Sequence, residues 1–346
     1  MSFWRGKRVL ITGHTGFKGS WLALWLTELG ADVHGLALAP DTEPALFDQL
    51  RLAERIDHHL GDIRAAQETA DHVARIAPDV LFHLAAQPLV LASYDDPLRS
   101  WSSNVMGTAH VLEGLRRLDR PCAAVMVTTD KVYDNREWVH PYRETDPLGG
   151  HDPYSASKAA CELLVASHAR SFFADHPVRL ATARAGNVIG GGDWAENRIL
   201  PDIIRALRAG RPVPVRNPEA RRPWQHVLEP LSGYLRLAEA LHAGRALAPA
   251  YNFGPETADI ARVRDLVEGA LARWPGQWRD ISRPGARHEA GLLSLGIERA
   301  RADLGYRPRW GFARGLAAAV DWYRAVAQGA DPLAQCRAQI AEFGAP

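Results

Sequence analysis

Apolar residues in the first half of the chain come in two rhythms. Short runs with almost no polar interruption, beginning with Arg8-Val9-Leu10-Ile11-Thr12, alternate with longer stretches whose apolar side chains recur three and four apart. The short runs have the pattern of strands buried on both faces, and the 3–4 spacing puts one stripe of a helix against a core. Trp21, Leu22, Trp25, Leu26 and Leu29 therefore predict a helix, with Gly30 as its C-terminal stop. Strands are predicted over Val33 to Leu38, Asp79 to Leu84, Ala123 to Val127 and Val178 to Ala183, with helices over Asn104 to Leu118 and Ser155 to Phe173. Strand and helix in alternation predict an α/β fold: a parallel sheet with helices on both faces. Such sheets hold ligands at the carboxyl ends of their strands. Here those ends are Thr12-Gly13, Ala85-Ala86, Thr129-Asp130 and Gly186-Asn187.

The pattern loosens after residue 185. Proline, glycine and arginine become frequent, and helices are predicted over Leu200 to Ala209, Leu231 to Leu241, Ala261 to Ala272 and Phe312 to Ala327. The expected division is residues 1–185 for the sheet domain and 186–346 for a smaller C-terminal substrate-binding domain. Segments near 225–255 (Gln225 to Leu228 and Tyr251 to Gly254) are expected to return to the sheet, and the last residues, Phe343 onward, to fray.

Composition narrows the function classes. With 346 residues, 47% of them hydrophobic, the chain can bury a large core without staples. A net charge of +1 offers no basic field, so neither nucleic acid nor an anionic membrane is an expected partner. Cys122, Cys161 and Cys336 are far apart and form no CxxC pair, which points to a reducing compartment and to no metal site. The N-terminus has no signal-peptide pattern, and the longest apolar stretch, Phe17 to Leu29, contains Lys18 and Glu28. A cytoplasmic protein is expected. The 41 basic residues include only four lysines: Lys7, Lys18, Lys131 and Lys158. Arginine serves where charge alone is needed but cannot give up its proton, so the surviving lysines are candidates for chemistry.

Gly13, Gly16 and Gly19 follow the first strand and open the first helix. In a Rossmann-type doubly wound sheet such glycines allow a tight turn, a close backbone approach to a pyrophosphate, and tight helix–strand packing; the helix N-terminus faces the phosphates. Thr15 and Phe17 lie within that loop. No arginine stands at the end of the second strand to hold a 2′-phosphate, which favours NAD over NADP. Asp62, with Ile63, either sits beside the adenine or caps a helix.

Tyr154 and Lys158 are four apart and share a helix face. A phenol with an ordinary pKa of about 10 must be drawn toward neutrality to act as a base, and a lysine ammonium and a nicotinamide cation both act in that direction. Lys158 could also hold the nicotinamide ribose hydroxyls. Thr129, ending the intervening strand, would share a substrate hydroxyl with Tyr154.

Gly13-xx-Gly16-xx-Gly19, His83-Leu84-Ala85-Ala86, Asn104, Thr129 and Tyr154-xxx-Lys158, in this order and over nearly the whole chain, resemble the extended short-chain dehydrogenase/reductase family. The resemblance implies NAD held by Gly13, Thr15, Gly16, Phe17, Asp62, Ile63, Ala85, Ala86, Asn104, Tyr154 and Lys158, and a nucleotide-sugar substrate. It also implies a homodimer or homotetramer formed through paired helices. The family contains 4-epimerases, which need only the tyrosine and the cofactor, and 4,6-dehydratases, which need a further acid and base after oxidation at C4. Asp130-Lys131 supplies such a pair where many dehydratases have Asp-Glu; which of the two is acid and which base is open. The stretches Gly13 to Trp21, Thr129 to Tyr133, Arg184 to Trp194 and Arg222 to Val227 resemble the branch that dehydrates CDP-hexoses for cell-surface deoxysugars. That branch implies a CDP-sugar substrate, Arg222 on its diphosphate, Asn187 on phosphate or sugar, and Arg198 and Arg287 as further contacts. Gly291 stands where the family more often has a larger polar residue. A 4-epimerase of the same fold and a non-catalytic NAD-binding sensor are the rival readings.

Overall fold

A computed structural model describes residues 3–282 and 291–345. Seven parallel strands form the central sheet. In chain order they are β1 (Arg8–Thr12), β2 (Asp32–Ala37), β3 (Asp57–Leu60), β4 (Val80–His83), β5 (Cys122–Val127), β6 (Val178–Ala185) and β7 (Ala250–Phe253). The spatial order is β7-β6-β5-β4-β1-β2-β3, so the chain starts in the middle and winds out both ways.

Alternate residues of each strand feed opposite faces, because successive side chains in a strand point opposite ways. Val9 and Ile11 enter one core with Trp21 and Trp25, while Leu10 enters the other with Val73, Val111 and Leu112. The first face is covered by α1 (Phe17–Glu28) and, from the second half of the chain, by α6 (Leu228–His242), whose Leu231 and Leu235 are fully buried. The second face is covered by α2 (Ala66–Ile76), α3 (Gly107–Arg116) and, in part, α4 (Pro153–Phe172), through Val165. Between α3 and α6 in chain order also comes α5 (Ile199–Arg208).

Helix α1 is buried on all sides from Gly19 to Leu26. The Trp21 indole donates to the Gly191 carbonyl at 2.9 Å, and the Trp25 ring meets Phe343 edge-on. Phe343 ends a helix over Pro332–Phe343, started by Asp331 accepting from the Leu333 and Ala334 amides. The expected fraying therefore does not begin at Phe343, which is buried. Two further expectations are corrected. The Ala250–Phe253 segment does join the sheet, but Gln225–His226 pairs with Val188–Ile189 in a separate two-stranded ribbon. The helix expected over Asn104 to Leu118 begins as a π-turn at Ser102–Met106 and becomes α-helical only at Gly107.

Candidate active site

The carboxyl ends of β1, β4, β5 and β6 open into one cavity of about 1110 Å³. A pocket for one drug-sized ligand is roughly 300–1,000 Å³, so this one is at the large end. Its floor is the glycine loop. Gly13 has φ +78°, and a side chain there would begin 2.7 Å from the Ala85 amide nitrogen. A side chain at Gly19 would begin 2.1 Å from the Gly13 carbonyl oxygen. Only glycine permits the turn at 13, which lies against Ala85, and the helix–strand approach at 19; Ala85 and Ala86 line the cavity beside the loop. Thr15, Gly16 and Phe17 line the same floor, and the Thr15 hydroxyl donates to the Leu38 carbonyl at 2.9 Å. His83 ties the floor to its support. Its ring lies between the Thr12 and Thr108 hydroxyls at 2.7 and 3.0 Å, and burial, then Lys158, lowers its pKa to about 3, so it is neutral.

The catalytic candidates stand at the end of β5 and the start of α4. The Thr129 hydroxyl donates to Asp130 Oδ1 at 2.9 Å and accepts from the Lys131 amide at 3.4 Å, which starts a short helical turn. Asp130 is buried, and Lys131 Nζ reaches its Oδ1 at 3.4 Å from a half-buried position. Asp152 starts α4 by accepting from the Ser155 amide, which sets Tyr154 and Lys158 facing inward, both buried. The Tyr154 phenol lies beside the Thr129 side chain, which acts to lower its pKa. All five predicted catalytic side chains therefore line one cavity.

The electrostatics of Tyr154 differ from the sequence expectation. Burial pushes its pKa up to about 12, and Thr129 only partly offsets this. Lys158 does not point at the phenol: its amine donates to the Val127 carbonyl at 3.2 Å, and burial lowers its pKa. The protein's own groups keep Tyr154 a neutral phenol, whereas a nicotinamide cation beside it would favour the phenolate.

The remaining predicted residues divide. Ile63 and Asp62 line the cavity, but Asp62 is not the helix cap; Ala65 holds that position. The Asp62 carboxylate instead accepts from the Arg64 amide and guanidinium, which hold its pKa below the usual carboxylate range. Asn104 does not line the cavity. It stands behind the wall, accepting from the Gln87 amide at 2.8 Å and donating to Ser157 Oγ at 2.8 Å, and so clamps the β4 loop to α4. Asn187 lines the cavity, and its side-chain oxygen is buried without a hydrogen-bond partner among the described residues. Arg222 and Arg198 also line it, Arg198 paired with Asp193 at 3.1 Å. Arg287 lies outside the described residues. Gly291 contributes only backbone, its carbonyl accepting from the Arg221 amide at 2.9 Å.

One group had escaped the sequence reading. Glu162, one turn beyond Lys158 on the same helix face, accepts from Thr128, from Thr182 at 2.7 Å and from Arg184 at 2.8 Å, all buried. Arg184 continues to the Tyr133 hydroxyl at 2.9 Å, which donates to Asn252 Oδ1 at 2.7 Å. This network holds the residues on either side of Thr129-Asp130-Lys131. The i, i+4, i+8 spacing of Tyr154, Lys158 and Glu162 was the available signal. Lys18, one of the four lysines the sequence singled out, also lines the cavity, and its amine donates to the Tyr234 hydroxyl at 3.3 Å.

Residues 9–254 match the model of the NAD dependent epimerase/dehydratase family. The chain belongs to that family. A CDP-glucose 4,6-dehydratase of Salmonella typhimurium is 46% identical over 99% of this chain and 97% of its own. A dTDP-glucose 4,6-dehydratase of Mycolicibacterium smegmatis is 29% identical over 92% of this chain and 93% of its own. Among solved structures, the dTDP-glucose 4,6-dehydratase of Streptomyces venezuelae with NAD bound superposes with a TM-score of 0.78 at 27% identity, covering 94% of this chain and 99% of that one. A UDP-glucose-4-epimerase from Stenotrophomonas maltophila, at 21% identity and a TM-score of 0.81 over 94% of this chain and 100% of its own, shares the fold. The glycine cradle fits the family's NAD.

Proposed function

We propose that this enzyme dehydrates CDP-glucose to CDP-4-keto-6-deoxyglucose, a step toward deoxysugars of cell-surface polysaccharide. The observation that carries this reading is the Asp130–Lys131 pair, 3.4 Å apart and within the same cavity as Tyr154 and Thr129. A 4-epimerase has no use for a second acid–base pair there. The 46% identical relative carries the CDP-glucose name.

Tyr154 and Thr129 hold the 4-hydroxyl between them, and Tyr154 takes its proton. When bound, NAD would take up the hydride lost from C4 and give it back at C6, with the proton removed from C5 returned there by the same base, so that the net change is the loss of water. The 4-ketone makes the C5 hydrogen acidic. One member of the Asp130–Lys131 pair removes it while the other protonates the departing 6-hydroxyl, which leaves as water. Lys158, Gly13, Thr15 and Phe17 hold the dinucleotide. Asn187, Arg198, Arg222 and Arg287, from the 186–346 part, hold the sugar diphosphate, where the planar guanidinium fork suits phosphate. Incubation with CDP-glucose and mass spectrometry test the reading: the product is lighter by one water. An isobaric product makes the protein an epimerase, and no turnover with any sugar nucleotide removes the enzyme reading.

Assembly is part of the proposal. Leu98, Trp101, Met106 and Leu163 expose apolar area on the helices over 97–106 and on α4. A second copy would cover them, giving the homodimer or homotetramer. A monomeric mass by light scattering at micromolar concentration refutes it.

A further inference from the structure

The Asp130–Lys131 pair stands on a turn whose two ends are held by different parts of the molecule. Upstream, Thr128 still belongs to the sheet: its amide donates to the Ala183 carbonyl of β6 at 2.9 Å. Downstream, the chain leaves the sheet. Val132 and Tyr133 pack with Tyr142, Ala159, Leu293 and Leu295 in a small core separate from the two cores of the sheet. The Tyr133 ring is buried and stacks on Tyr142 at 5.0 Å. Its hydroxyl accepts from Arg184 Nη1 at 2.9 Å and donates to Asn252 Oδ1 at 2.7 Å. Asn252 is itself fully buried, and its side-chain amide donates to the Tyr142 and Gly296 carbonyls at 2.9 and 3.0 Å. Burial raises the Tyr133 pKa to about 12, so the phenol keeps the proton it donates.

The two ends of the turn meet in one ion pair. Thr128 donates to Glu162, Glu162 holds Arg184, and Arg184 holds Tyr133. Residues 128–133 are thus closed into a ring by a single buried salt bridge, and the turn has a fixed span. Buried polar networks of this kind rigidify what they hold. Tyr133 lines the cavity, but its hydroxyl is occupied on both sides, so it acts through the turn and not on a substrate.

The two halves of a 4,6-dehydration call on different groups. Oxidation at C4 uses Thr129 and Tyr154, which follow from β5 and α4 without help from Tyr133. Elimination uses Asp130 and Lys131, and Lys131 is two residues from the Tyr133 anchor. In that half the C5–H bond breaks and its proton goes to the base. Its electron pair forms the C5–C6 double bond, and the 6-hydroxyl leaves as water on a proton from the acid. We propose that Tyr133 is a positioning residue for the elimination half alone, holding the Asp130–Lys131 turn in place through Arg184 and Asn252. The proposal rests on the dehydratase reading.

The test is Tyr133→Phe, which removes one oxygen and keeps the stack on Tyr142. With CDP-glucose and NAD, reduced nicotinamide should form in a single turnover within about twofold of the wild-type rate, while water loss falls about tenfold or more. Reduced nicotinamide should then accumulate during turnover. A deuterium isotope effect from C5 of the substrate should grow as one from C4 fades. Tyr142→Phe is the control: its hydroxyl accepts from the Arg136 amide at 2.7 Å and does not reach the turn, so the balance between the two halves should stay that of wild type. Arg184→Lys keeps a charge for Glu162 but loses the second arm of the fork, so it should shift the balance as Tyr133→Phe does. It decides the matter on the same criteria if Tyr133→Phe does not fold. A variant that slows both halves equally, or neither, overturns the proposal, as does the same shift in Tyr142→Phe. Wild-type protein that takes no water from CDP-glucose sinks the dehydratase reading and the proposal with it. Wild-type turnover with an unshifted Tyr133→Phe sinks the proposal alone.

Discussion

Replacing Arg184 with methionine should unfold the protein at a markedly lower temperature while sparing the fold. The guanidinium and the Glu162 carboxylate are 2.8 Å apart, with side chains only 4% and 3% exposed. Burial works against the Arg184 charge, but Glu162 outweighs it and raises the guanidinium's pKa. Methionine fills most of the volume and removes the charge, leaving Glu162 with the Thr128 and Thr182 hydroxyls alone. Breaking one side of a buried pair costs about 3–5 kcal/mol because the other charge stays buried without compensation. At roughly 2 °C per kcal/mol for a chain of this size, melting should fall by roughly 6–10 °C. The double variant Arg184→Met with Glu162→Gln removes both charges and should recover most of that loss, since glutamine can accept from one of the two hydroxyls and donate to the other. Thermal unfolding followed by circular dichroism gives all four corners of the cycle. A single variant within about 1 kcal/mol of wild type would refute the reasoning. So would a double variant no more stable than the single, because the cost then would not come from a stranded carboxylate.

Lys131→Arg keeps the charge but cannot release a proton; if Lys131 is the base at C5, water loss and solvent exchange of the C5 hydrogen should both collapse while NAD still binds. Undiminished water loss would return the base role to Asp130. Glu229 offers a pH test of stability. Burial raises its pKa from 4.5 to about 7, against the opposing Trp310 and Arg309 amides. The folded state therefore binds this proton more tightly than the unfolded one, so the contribution is full below about pH 4.5 and is lost as pH rises to about 7. It amounts to about 3 kcal/mol. Glu229→Gln should flatten that slope in urea titrations across the range and be the more stable protein above pH 7; an unchanged slope counts against it.

The sheet and most of the cavity were legible because their signals are local. A buried strand, a glycine triplet and a Tyr-xxx-Lys pair each lie within a few residues, and the strand-end rule brings them together without further information. What escaped was long-range. Asn104 carries the family pattern, yet its amide is spent on Gln87 and Ser157, which no spacing reveals. Arg184 finds Glu162 only because β6 runs past α4. The phenol's pKa was read from its two helpful neighbours, but the Lys158 amine is turned to Val127 and burial dominates. Gln225–His226 has strand-like residues but pairs outside the sheet, and sequence pattern cannot choose a partner.

Helix α6 covers one face of a sheet whose first six strands precede it in the chain. On the ribosome those strands emerge long before residue 242. At about 5–20 residues per second, the apolar face formed by Val9, Ile11, Phe82 and Val125 has only α1 to cover part of it for seconds. Even the N-terminus waits: the Trp4 indole donates to Glu239, 235 positions later. The glycine loop is complete early, but the platform beneath it is finished only when the second half arrives. A fragment ending at residue 185 would thus present an adhesive slab rather than a free-standing nucleotide module, and newly made chains are natural clients for a holding chaperone.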